Sequence, residues 1–397
     1  MLDHNTESGL GARHRLSDHS TSPMTPHTSL HRREFLVGSS LTLAGACLGA
    51  AAPETRLRIG FSGLKHGHVY AVMKLAAADP RVTIAAIADD DEQNRKEGER
   101  ISGIPVKYAN YHQMLEAEPL DVVVVAEEYG RRGEAAIAAL EAGKHVFSDK
   151  PLCTHGEELE RIAKVAAAKH LEVHVDFSLR HFWAKGAELL QQGEIGEIVG
   201  CSFAGPHSLS YERRPKWYFV PGMHGGIIND LMGHGVDFVQ WITRRPYVEV
   251  LSGARAKVGF PQQPEFETTG DAMFQLQGGA PIFGHVDYFS PAGHPGGWKC
   301  NVVGTKGDAV FGDQGGFTLR PSGAAERHLD AKGLRAESPH PFKDFIALLT
   351  EGKAPLRTTA ESLHVSQATL LAQAAAESGR SHVPFPALAY PLPAKAG

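Results

Sequence analysis

The 397-residue chain contains few cysteines and no long run of a single charge, and each shortage excludes a class of protein. The four cysteines, Cys47, Cys153, Cys201 and Cys300, are too few and too scattered for a disulfide framework or a Cys-x-x-Cys metal site. Acidic and basic side chains are mixed along the sequence, with a formal net charge of -5. This mixture gives no indication of binding to nucleic acid or to an anionic membrane surface.

Residues 1–52 have the composition of a targeting segment. The first part is polar, an arginine pair follows at Arg32 and Arg33, and an apolar run rich in glycine and alanine extends over residues 37–52. This run is shorter than the ~20 residues that a membrane-spanning helix needs. The pattern resembles a twin-arginine signal, which predicts periplasmic or other export through the twin-arginine machinery. A lipoprotein anchored at Cys47 is a weaker alternative, because alanine replaces the usual lipobox leucine.

The length of the remaining chain predicts two domains, residues 53–176 and residues 177–397. In the first, short apolar segments typical of buried strands alternate with amphipathic segments of helical period. The predicted strands cover residues 57–62, 82–88, 121–126, 145–147 and 171–177, and the predicted helices cover residues 69–78, 134–142 and 157–169. This alternation predicts right-handed βαβ units and a parallel sheet, an α/β arrangement of the Rossmann type that binds a dinucleotide.

The second domain has a different pattern, in which strand-like runs are joined by connections rich in glycine and proline. These runs cover residues 248–256, 272–276, 282–289 and 299–303, and helices are predicted at residues 341–351 and 360–378. We therefore expect an α+β domain with a largely antiparallel open sheet, and we expect it to bind the substrate.

The first predicted turn is an imperfect dinucleotide fingerprint of the form G-x-G-x-x-G. Gly63 fits the first glycine, Lys65 stands in place of the second, and His68 stands in place of the third. Asp89, at the end of the second strand, has the spacing of an acidic group that binds the ribose hydroxyls, which favours NAD over NADP. The alternatives are a turn or cap aspartate at position 89 and a solvent-facing lysine at position 65. The residues expected to bind the cofactor are Gly60, Gly63, Lys65, His66, Asp89 and Lys150.

Two further segments carry groups suited to acid–base chemistry. The turn Asp149-Lys150-Pro151 follows a predicted strand, where Lys150 can donate a hydrogen bond to a substrate oxygen. On the predicted helix of residues 225–241, Asp230, His234 and Asp237 form one polar stripe, and a carboxylate beside His234 would make it a general base.

These segments also have less specific explanations. Lys150 could be a solvated turn lysine, and the polar stripe could be a structural pair of histidine and aspartate. A metal site is a further alternative, but it lacks a clear third ligand, so no metal is predicted.

Taken together, the chain from residue 56 to residue 386 resembles the glucose-fructose oxidoreductase / inositol dehydrogenase (Gfo/Idh/MocA) family. The motifs that carry the resemblance are the glycine turn after the first strand, Ala-Gly-Lys-His-Val before Asp149-Lys150-Pro151, Gly193-Glu-Ile-Gly196, the Asp230-x-x-x-His234 helix, and Val303-Gly304-Thr305-Lys306-Gly307. The resemblance implies catalytic roles for three residues. Lys150 would orient the reacting hydroxyl, His234 would take its proton, and Asp230 would position the substrate.

The resemblance also implies a substrate site. Arg180 would border it, and Trp217, Tyr218 and Trp298 are candidates for stacking on a sugar, although a place in the core or at an interface is the alternative for each ring. Besides the altered glycine turn, four residues depart from the usual family pattern. The turn has Asp149 where glutamate is usual, Glu127-Glu128 replaces Thr-Pro, and Arg132 replaces a histidine.

The sequence as a whole predicts an exported NAD(P)-dependent oxidoreductase that transfers hydride to or from a sugar or polyol. Export predicts a tightly bound cofactor, because free dinucleotide is scarce outside the cytoplasm. One alternative is an NAD-dependent glycoside hydrolase that works by transient oxidation and elimination. Another is a non-catalytic relative that binds sugar or nucleotide. The resemblance further implies a homo-oligomer.

Overall fold

A parallel sheet forms the first half of the computed structural model, which describes residues 56–290, 297–313 and 316–392. The twin-arginine prediction lies outside these residues. The elements of this half are β1 (Leu57–Ser62), α1 (His68–Ala77), β2 (Val82–Ala88), α2 (Glu92–Ser102), α3 (Tyr111–Ala117), β3 (Val122–Val125), α4 (Tyr129–Glu141), β4 (His145–Ser148), α5 (Gly156–Lys169) and β5 (Val173–Val175). The strand order is β2-β1-β3-β4-β5, and all neighbours pair in parallel.

The strand order creates a crevice beside β1. From β1 the chain passes to β2 on one side and then returns to place β3 on the other side. Ligands of open parallel sheets bind outside the carboxyl ends of the strands at such a reversal. All four residues of β3 are buried, which explains the continuous apolar run from Val122 to Val125. The loops that follow β1, β3 and β4 therefore form the edge at which a site is expected.

The second half is built on a nine-stranded sheet. Its elements are α6 (Leu179–Phe182), α7 (Ala184–Gln191), β6 (Ile198–Pro206), α8 (Ile227–Leu231), α9 (Gly233–Thr243), β7 (Tyr247–Ala256), β8 (Thr269–Leu276), β9 (Pro281–Asp287), β10 (Lys299–Gly304), β11 (Gly307–Asp313), β12 (Gly316–Pro321), β13 (Arg327–Leu329), α10 (Pro341–Glu351), α11 (Thr359–Ser378) and β14 (Val383–Pro384), with 3-10 turns at Tyr211–Arg213 and Lys216–Phe219. The order is β13-β12-β11-β10-β6-β9-β8-β7-β14. Among the described neighbours of this sheet, β6 and β9 pair in parallel and all other pairs are antiparallel. This confirms the predicted fold class, a Rossmann-type half followed by a largely antiparallel sheet.

The position of α10 in the chain suggests that it covers the second sheet. In the structure it packs instead on the parallel sheet of the first half. The rings of Phe342 and Phe345 lie 5.3 Å and 5.7 Å from the ring of Phe147 on β4. The apolar face of this helix was visible in the sequence, but the sheet that it covers was not. The domain boundary predicted at residue 176 stays a prediction. Well beyond that residue, α10 returns to the first sheet.

The helix predicted over residues 225–241 is divided. Helix α8 ends at Leu231 and α9 begins at Gly233, with Met232 between them. No helix in the described part of the chain combines the length and the apolar character that crossing a bilayer requires.

We expect His364 on α11 to make the fold less stable in acid. Its Nε2 accepts a hydrogen bond from the backbone N–H of Tyr247 at 3.1 Å, and burial lowers its pKa from 6.5 to about 4. Between these two values the unfolded chain binds a proton that the folded chain does not bind, so the free energy of unfolding falls as the pH falls.

Replacing His364 with Gln, which keeps an acceptor but does not titrate, should reduce the pH dependence of the unfolding free energy between pH 6 and pH 4.5 by up to about 1.4 kcal/mol per pH unit. Urea unfolding at several pH values measures this slope. His112→Gln, at an exposed position on α3, is the matched control. A slope equal to that of the wild type in His364→Gln would contradict the prediction.

Candidate active site

The turn after β1 approaches the loop after β3 closely. Gly63 has a φ of +73°, and a Cβ there would lie 2.8 Å from the backbone N and Cα of Glu127. A side chain at position 63 would therefore clash with backbone as well as strain the turn. Gly60, in contrast, lies inside β1, where a Cβ would meet the Leu120 side chain at 2.5 Å. The predicted cofactor contact of Gly60 is thus corrected, because this glycine packs against the core and not against the crevice.

Asp89 and Lys65, for which separate contacts with a ribose and a pyrophosphate are predicted, bind each other in this structure. The carboxylate of Asp89 has no exposed side-chain surface and accepts hydrogen bonds from the N–H of Leu64 at 2.6 Å and from that of Asp91 at 2.8 Å. The ammonium of Lys65 donates to Asp89 at 3.0 Å and also binds Asp90. Partial burial acts to lower the pKa of Lys65, but the two carboxylates raise it. Lys65 therefore stays charged at the end of β2.

Glu127 places a carboxylate at the same turn. Its Oε1 accepts a hydrogen bond from Ser62 Oγ at 2.9 Å, and burial raises its pKa. Helix α1 begins at His68 directly after the turn, and the N-terminus of a helix attracts anions such as a pyrophosphate. The close approach at Gly63 also fits a dinucleotide, whereas the carboxylate of Asp89 is occupied by protein donors. Glu127 is the group that opposes this fit, because its ionised form would repel a phosphate.

Lys150 lies at the centre of a buried polar network. Its Nζ donates to Asp230 Oδ1 at 2.7 Å and to the Asp230 carbonyl at 3.2 Å. Tyr218 donates to Asp230 Oδ2 at 2.6 Å, Tyr288 donates to the same oxygen, and Nε2 of His224 lies 3.0 Å from the hydroxyl of Tyr288. Burial acts to raise the pKa of Asp230, but the charge of Lys150 and the contact with His224 lower it well below its usual range. Asp230 is therefore ionised where it accepts the hydrogen bond of Lys150.

His234 is close to this network but is held differently from the prediction. Its Nδ1 accepts a hydrogen bond from the backbone N–H of Ser178 at 3.2 Å, and its ring lies edge-on to Trp298, with the centroids 5.5 Å apart. In the described part of the chain no carboxylate is hydrogen-bonded to His234, because Asp230 faces Lys150. Burial, and then the nearby Lys150 charge, lower the pKa of His234 to about 3.

Asp237 and Arg180 belong to a separate ion cluster. Arg180 is fully buried, and its guanidinium donates to both oxygens of Asp237 at 3.0 Å and to Glu361 at 2.9 Å. Arg357 donates to the same carboxylate at 2.8 Å. The predicted role of Arg180 at the border of the substrate site is thus corrected, since the cluster holds α6, α9 and the start of α11 together.

The three predicted stacking residues are not equally placed. Tyr218 is 1% exposed and serves the Asp230 network with its hydroxyl, so its ring is part of the core. Trp217 is half-buried, its ring lies 5.0 Å from that of Tyr129, and its Nε1 has no hydrogen-bond partner within the described residues. Trp298, the third candidate, packs its ring across Gly205 and lies beside His234, which also contacts the ring of Phe177.

Sequence reasoning missed a cluster around Asp149. Its Oδ2 accepts from Arg132 at 2.9 Å and lies 2.8 Å from Nδ1 of His66, and its Oδ1 lies 3.2 Å from Nδ1 of His68. The backbone N–H of Lys150 donates to Oδ1 at 2.8 Å. The sequence signal was the Lys-His-Gly-His run in the imperfect fingerprint. His66, predicted to bind the cofactor, is buried here against Asp149.

One nitrogen of each of the two histidines and one oxygen of Asp149 lie within 4.8 Å of one another, a spacing that a metal ion could use. That the protein binds no metal is predicted from the sequence, and it stays a prediction.

We expect the ion cluster of Asp237 to be essential for stability. Asp237→Ala would leave the guanidinium groups of Arg180 and Arg357 buried without their common partner, and should lower the unfolding free energy by about 3–5 kcal/mol. Urea unfolding measures the loss. The control is Glu265→Ala, which removes an exposed pair with Lys257 and should leave the stability nearly unchanged. Equal stability of Asp237→Ala and the wild type would contradict the prediction.

Known proteins share both halves of this structure. Residues 57–177 match the model of an oxidoreductase family with an NAD-binding Rossmann fold, and residues 183–310 match the GFO/IDH/MocA C-terminal domain. Levoglucosan dehydrogenase of Pseudarthrobacter phenanthrenivorans is 27% identical over 57% of this chain and 60% of its own length. Myo-inositol 2-dehydrogenase of Thermotoga maritima is 25% identical over 65% of this chain and 75% of its own length.

A solved structure of levoglucosan dehydrogenase in complex with NADH and levoglucosan has the same fold. The TM-score is 0.71 with 19% identity, and the match covers 84% of this chain and 100% of the other. The family matches agree with the predicted cofactor, NAD. The chain therefore belongs to the Gfo/Idh/MocA family of oxidoreductases, with an NAD-binding Rossmann half followed by the C-terminal domain of that family.

Proposed function

We propose that this protein is an exported dehydrogenase that transfers hydride between NAD and a hydroxyl-bearing carbon of a sugar or polyol. The observation that carries the proposal is the buried ion pair of Lys150 and Asp230 at the carboxyl edge of β4. The named relatives, which act on levoglucosan and on myo-inositol, support a polyhydroxylated substrate. Residues 53–176 would bind the cofactor and residues 177–397 the substrate.

NAD, when bound, supplies the nicotinamide ring that accepts the hydride. Gly63, Lys65 and Asp89 would hold its phosphates and ribose. The ammonium of Lys150 would donate a hydrogen bond to the reacting oxygen. Its described contacts are a short one with the Asp230 carboxylate and a longer one with the Asp230 carbonyl. A substrate oxygen can take the place of that carbonyl. This bond strengthens as the oxygen becomes more negative, which favours loss of its proton.

His234 contributes to the same oxygen as a donor. Because its Nδ1 accepts the Ser178 N–H, the neutral ring carries its proton on Nε2. A pKa of about 3 keeps the ring neutral at ordinary pH. In this tautomer Nε2 can hydrogen-bond to a substrate oxygen, but it cannot take a proton from it. His234 therefore positions the substrate in this structure, and its predicted role as the base requires the other tautomer.

Export would require the cofactor to stay bound and to be regenerated within each cycle. An enzyme that oxidises one sugar and reduces another satisfies this requirement. So does one that oxidises a glycoside transiently, eliminates the aglycone and reduces the product, which is the second candidate function. The reason to keep both is the same twin-arginine-like segment of residues 1–52.

The first experiment isolates the full chain from the periplasm of an expressing bacterium without added nucleotide. The protein is denatured and the released molecules are identified by mass spectrometry. We expect NAD(H) in a one-to-one ratio to the protein. In the native protein, the nicotinamide absorbance should change when a substrate is added, and levoglucosan, myo-inositol, other sugars and aryl glycosides are tried in turn. A variant with lysine at both Arg32 and Arg33 should stay in the cytoplasm. A protein without NAD(H) that also fails to bind it in titration would contradict the proposal.

Lys150→Met should retain bound NAD(H) but transfer hydride about 10²–10⁴ times more slowly, because the positive donor to the reacting oxygen is lost. The rate is read from the absorbance of the bound nicotinamide after substrate is mixed in. Lys144→Met, just before β4, is the matched control and should keep the rate of the wild type. Since the change leaves Asp230 unpaired, thermal unfolding and the NAD(H) content show that the variant is folded. Full activity in folded Lys150→Met would disprove the role of this lysine.

Glu127→Gln should bind NAD⁺ more tightly, by up to about tenfold, or ~1.4 kcal/mol, because a like charge beside the phosphate turn is removed. Glutamine can still accept the hydrogen bond of Ser62. The gain should become smaller as the pH is lowered, because burial raises the pKa of Glu127 and protonation then removes the same charge from the wild type.

Titration of nucleotide-stripped protein measures the Kd. Glu128→Gln is the control, since that carboxylate pairs with Arg131 at 3.3 Å. Weaker binding by Glu127→Gln than by the wild type would show that the carboxylate helps to hold the cofactor.

A further inference from the structure

The carboxylate of Asp149 is fully engaged by hydrogen-bond donors. Oδ2 is bound by Arg132 and His66, and Oδ1 by the backbone N–H of Lys150 and by His68. The side chain is 5% exposed. Burial acts to raise its pKa, but the charge of Arg132 and the two histidines lower it well below its usual range. Asp149 is therefore an ionised acceptor, and each histidine that binds it must direct an N–H toward it.

This contact fixes the tautomer of His68. With its proton on Nδ1 toward Asp149, the neutral ring has a free electron pair on Nε2. His234 has the opposite arrangement, since its Nδ1 accepts the N–H of Ser178. Of these two histidines, only His68 is therefore arranged to accept a proton at Nε2.

Of the two histidines that bind Asp149, His68 is much more exposed to solvent than His66. The side chain of His66 is 8% exposed, whereas that of His68 is 46% exposed. His68 is the first residue of α1, at the turn beside the crevice of the parallel sheet. The oxygen of Asp149 that His68 contacts also accepts the backbone N–H of Lys150. His68 therefore lies, partly exposed, beside the turn that carries Lys150.

We propose that His68, oriented by Asp149, is the residue that takes the proton from the reacting hydroxyl. The inference rests on the proposed dehydrogenase function and assigns its proton acceptor. In the oxidation, the O–H bond breaks and its proton goes to Nε2 of His68. The C–H bond breaks with its electron pair, which passes as hydride to NAD⁺, and a carbonyl forms. Asp149 stabilises the imidazolium, as a carboxylate does when it orients a catalytic histidine.

The departures from the usual family pattern support this assignment because they contact one another. His68 stands in place of the third glycine, Asp149 in place of glutamate, and Arg132 in place of histidine. In the structure, His68 and Arg132 both bind Asp149. Arg132 is fully buried and balances the charge of Asp149, which leaves that carboxylate able to hold His68. Independent losses at three positions would have no reason to form one charge-balanced set.

A metal ion bound by His66, His68 and Asp149 is the competing explanation of this cluster. It is less favourable because each oxygen of Asp149 already accepts two hydrogen bonds. A divalent ion would also lie beside the buried guanidinium of Arg132, 2.9 Å from the same carboxylate. The test therefore includes this outcome.

The first test reads the tautomers directly. Long-range ¹H–¹⁵N correlation spectra of the NAD-loaded protein labelled at histidine report which nitrogen of each ring carries the proton, and His68→Gln and His234→Gln assign the two signals. We expect the proton on Nδ1 in His68 and on Nε2 in His234. A neutral His68 with its proton on Nε2 would overturn the proposal without any need for a substrate.

The second test measures hydride transfer to the bound cofactor with the substrate that gives the largest nicotinamide signal. His68→Ala should retain NAD(H) and lose about 10²–10⁴-fold in rate, and added imidazole should restore part of it. His112→Ala is the matched control, an exposed histidine on α3, and should change neither the rate nor its response to imidazole.

In this second test, three results would overturn the assignment. They are an unchanged rate in His68→Ala, a loss that imidazole does not restore, and a wild-type activity that EDTA abolishes and Zn²⁺ restores, which would indicate the metal site. A wild-type protein that holds no NAD(H) and transfers no hydride would contradict the proposed function instead. That result differs from a failure of the assignment, which leaves wild-type hydride transfer intact.

Discussion

The ion pair between Lys150 and Asp230 is the interaction on which the arrangement of the cleft depends. Lys150 follows β4 of the parallel sheet, and Asp230 lies on α8 of the second half. Their charged atoms are 2.7 Å apart, and the side chains are 4% and 0% exposed. A buried charge without a partner costs several kcal/mol, so each residue fixes the place of the other. The pair therefore joins the two halves at the carboxyl edge of β4.

The same requirement, that a buried charge has a partner, explains why other polar residues have structural roles. Asp237 is surrounded by Arg180 and Arg357 and connects α9 to the segment before α11. Tyr218 and Tyr288 complete the hydrogen bonding of Asp230. These residues are as well buried as any apolar core residue, and their side chains are occupied by protein partners. Burial of a charged or polar residue in this chain thus indicates a partner in the fold as often as a ligand.

The departures from the family pattern fall into two connected sets at the carboxyl edge of the parallel sheet. At the cofactor turn, Lys65 binds Asp89, and Glu127 binds Ser62. At the end of β4, His68 and Arg132 bind Asp149. Within the second set the charge of Arg132 balances that of Asp149.

The sequence by itself determined the local elements and the turns that carry the candidate residues. The buried run of β3 and the glycine at position 63 were readable because burial on both faces and a positive φ leave a local signature. The order of the elements then placed the Asp149-Lys150 turn at the edge of the sheet.

Only the tertiary structure decided which side chains meet. The stripe of Asp230, His234 and Asp237 is divided between α8 and α9, and its three residues contact Lys150, Ser178 and Arg180, which lie between 56 and 80 positions away in the chain. Helical spacing reports one face of one element, whereas a buried charge is matched by whichever element packs against it. The role of each polar residue was therefore set by long-range packing, which a local pattern does not contain.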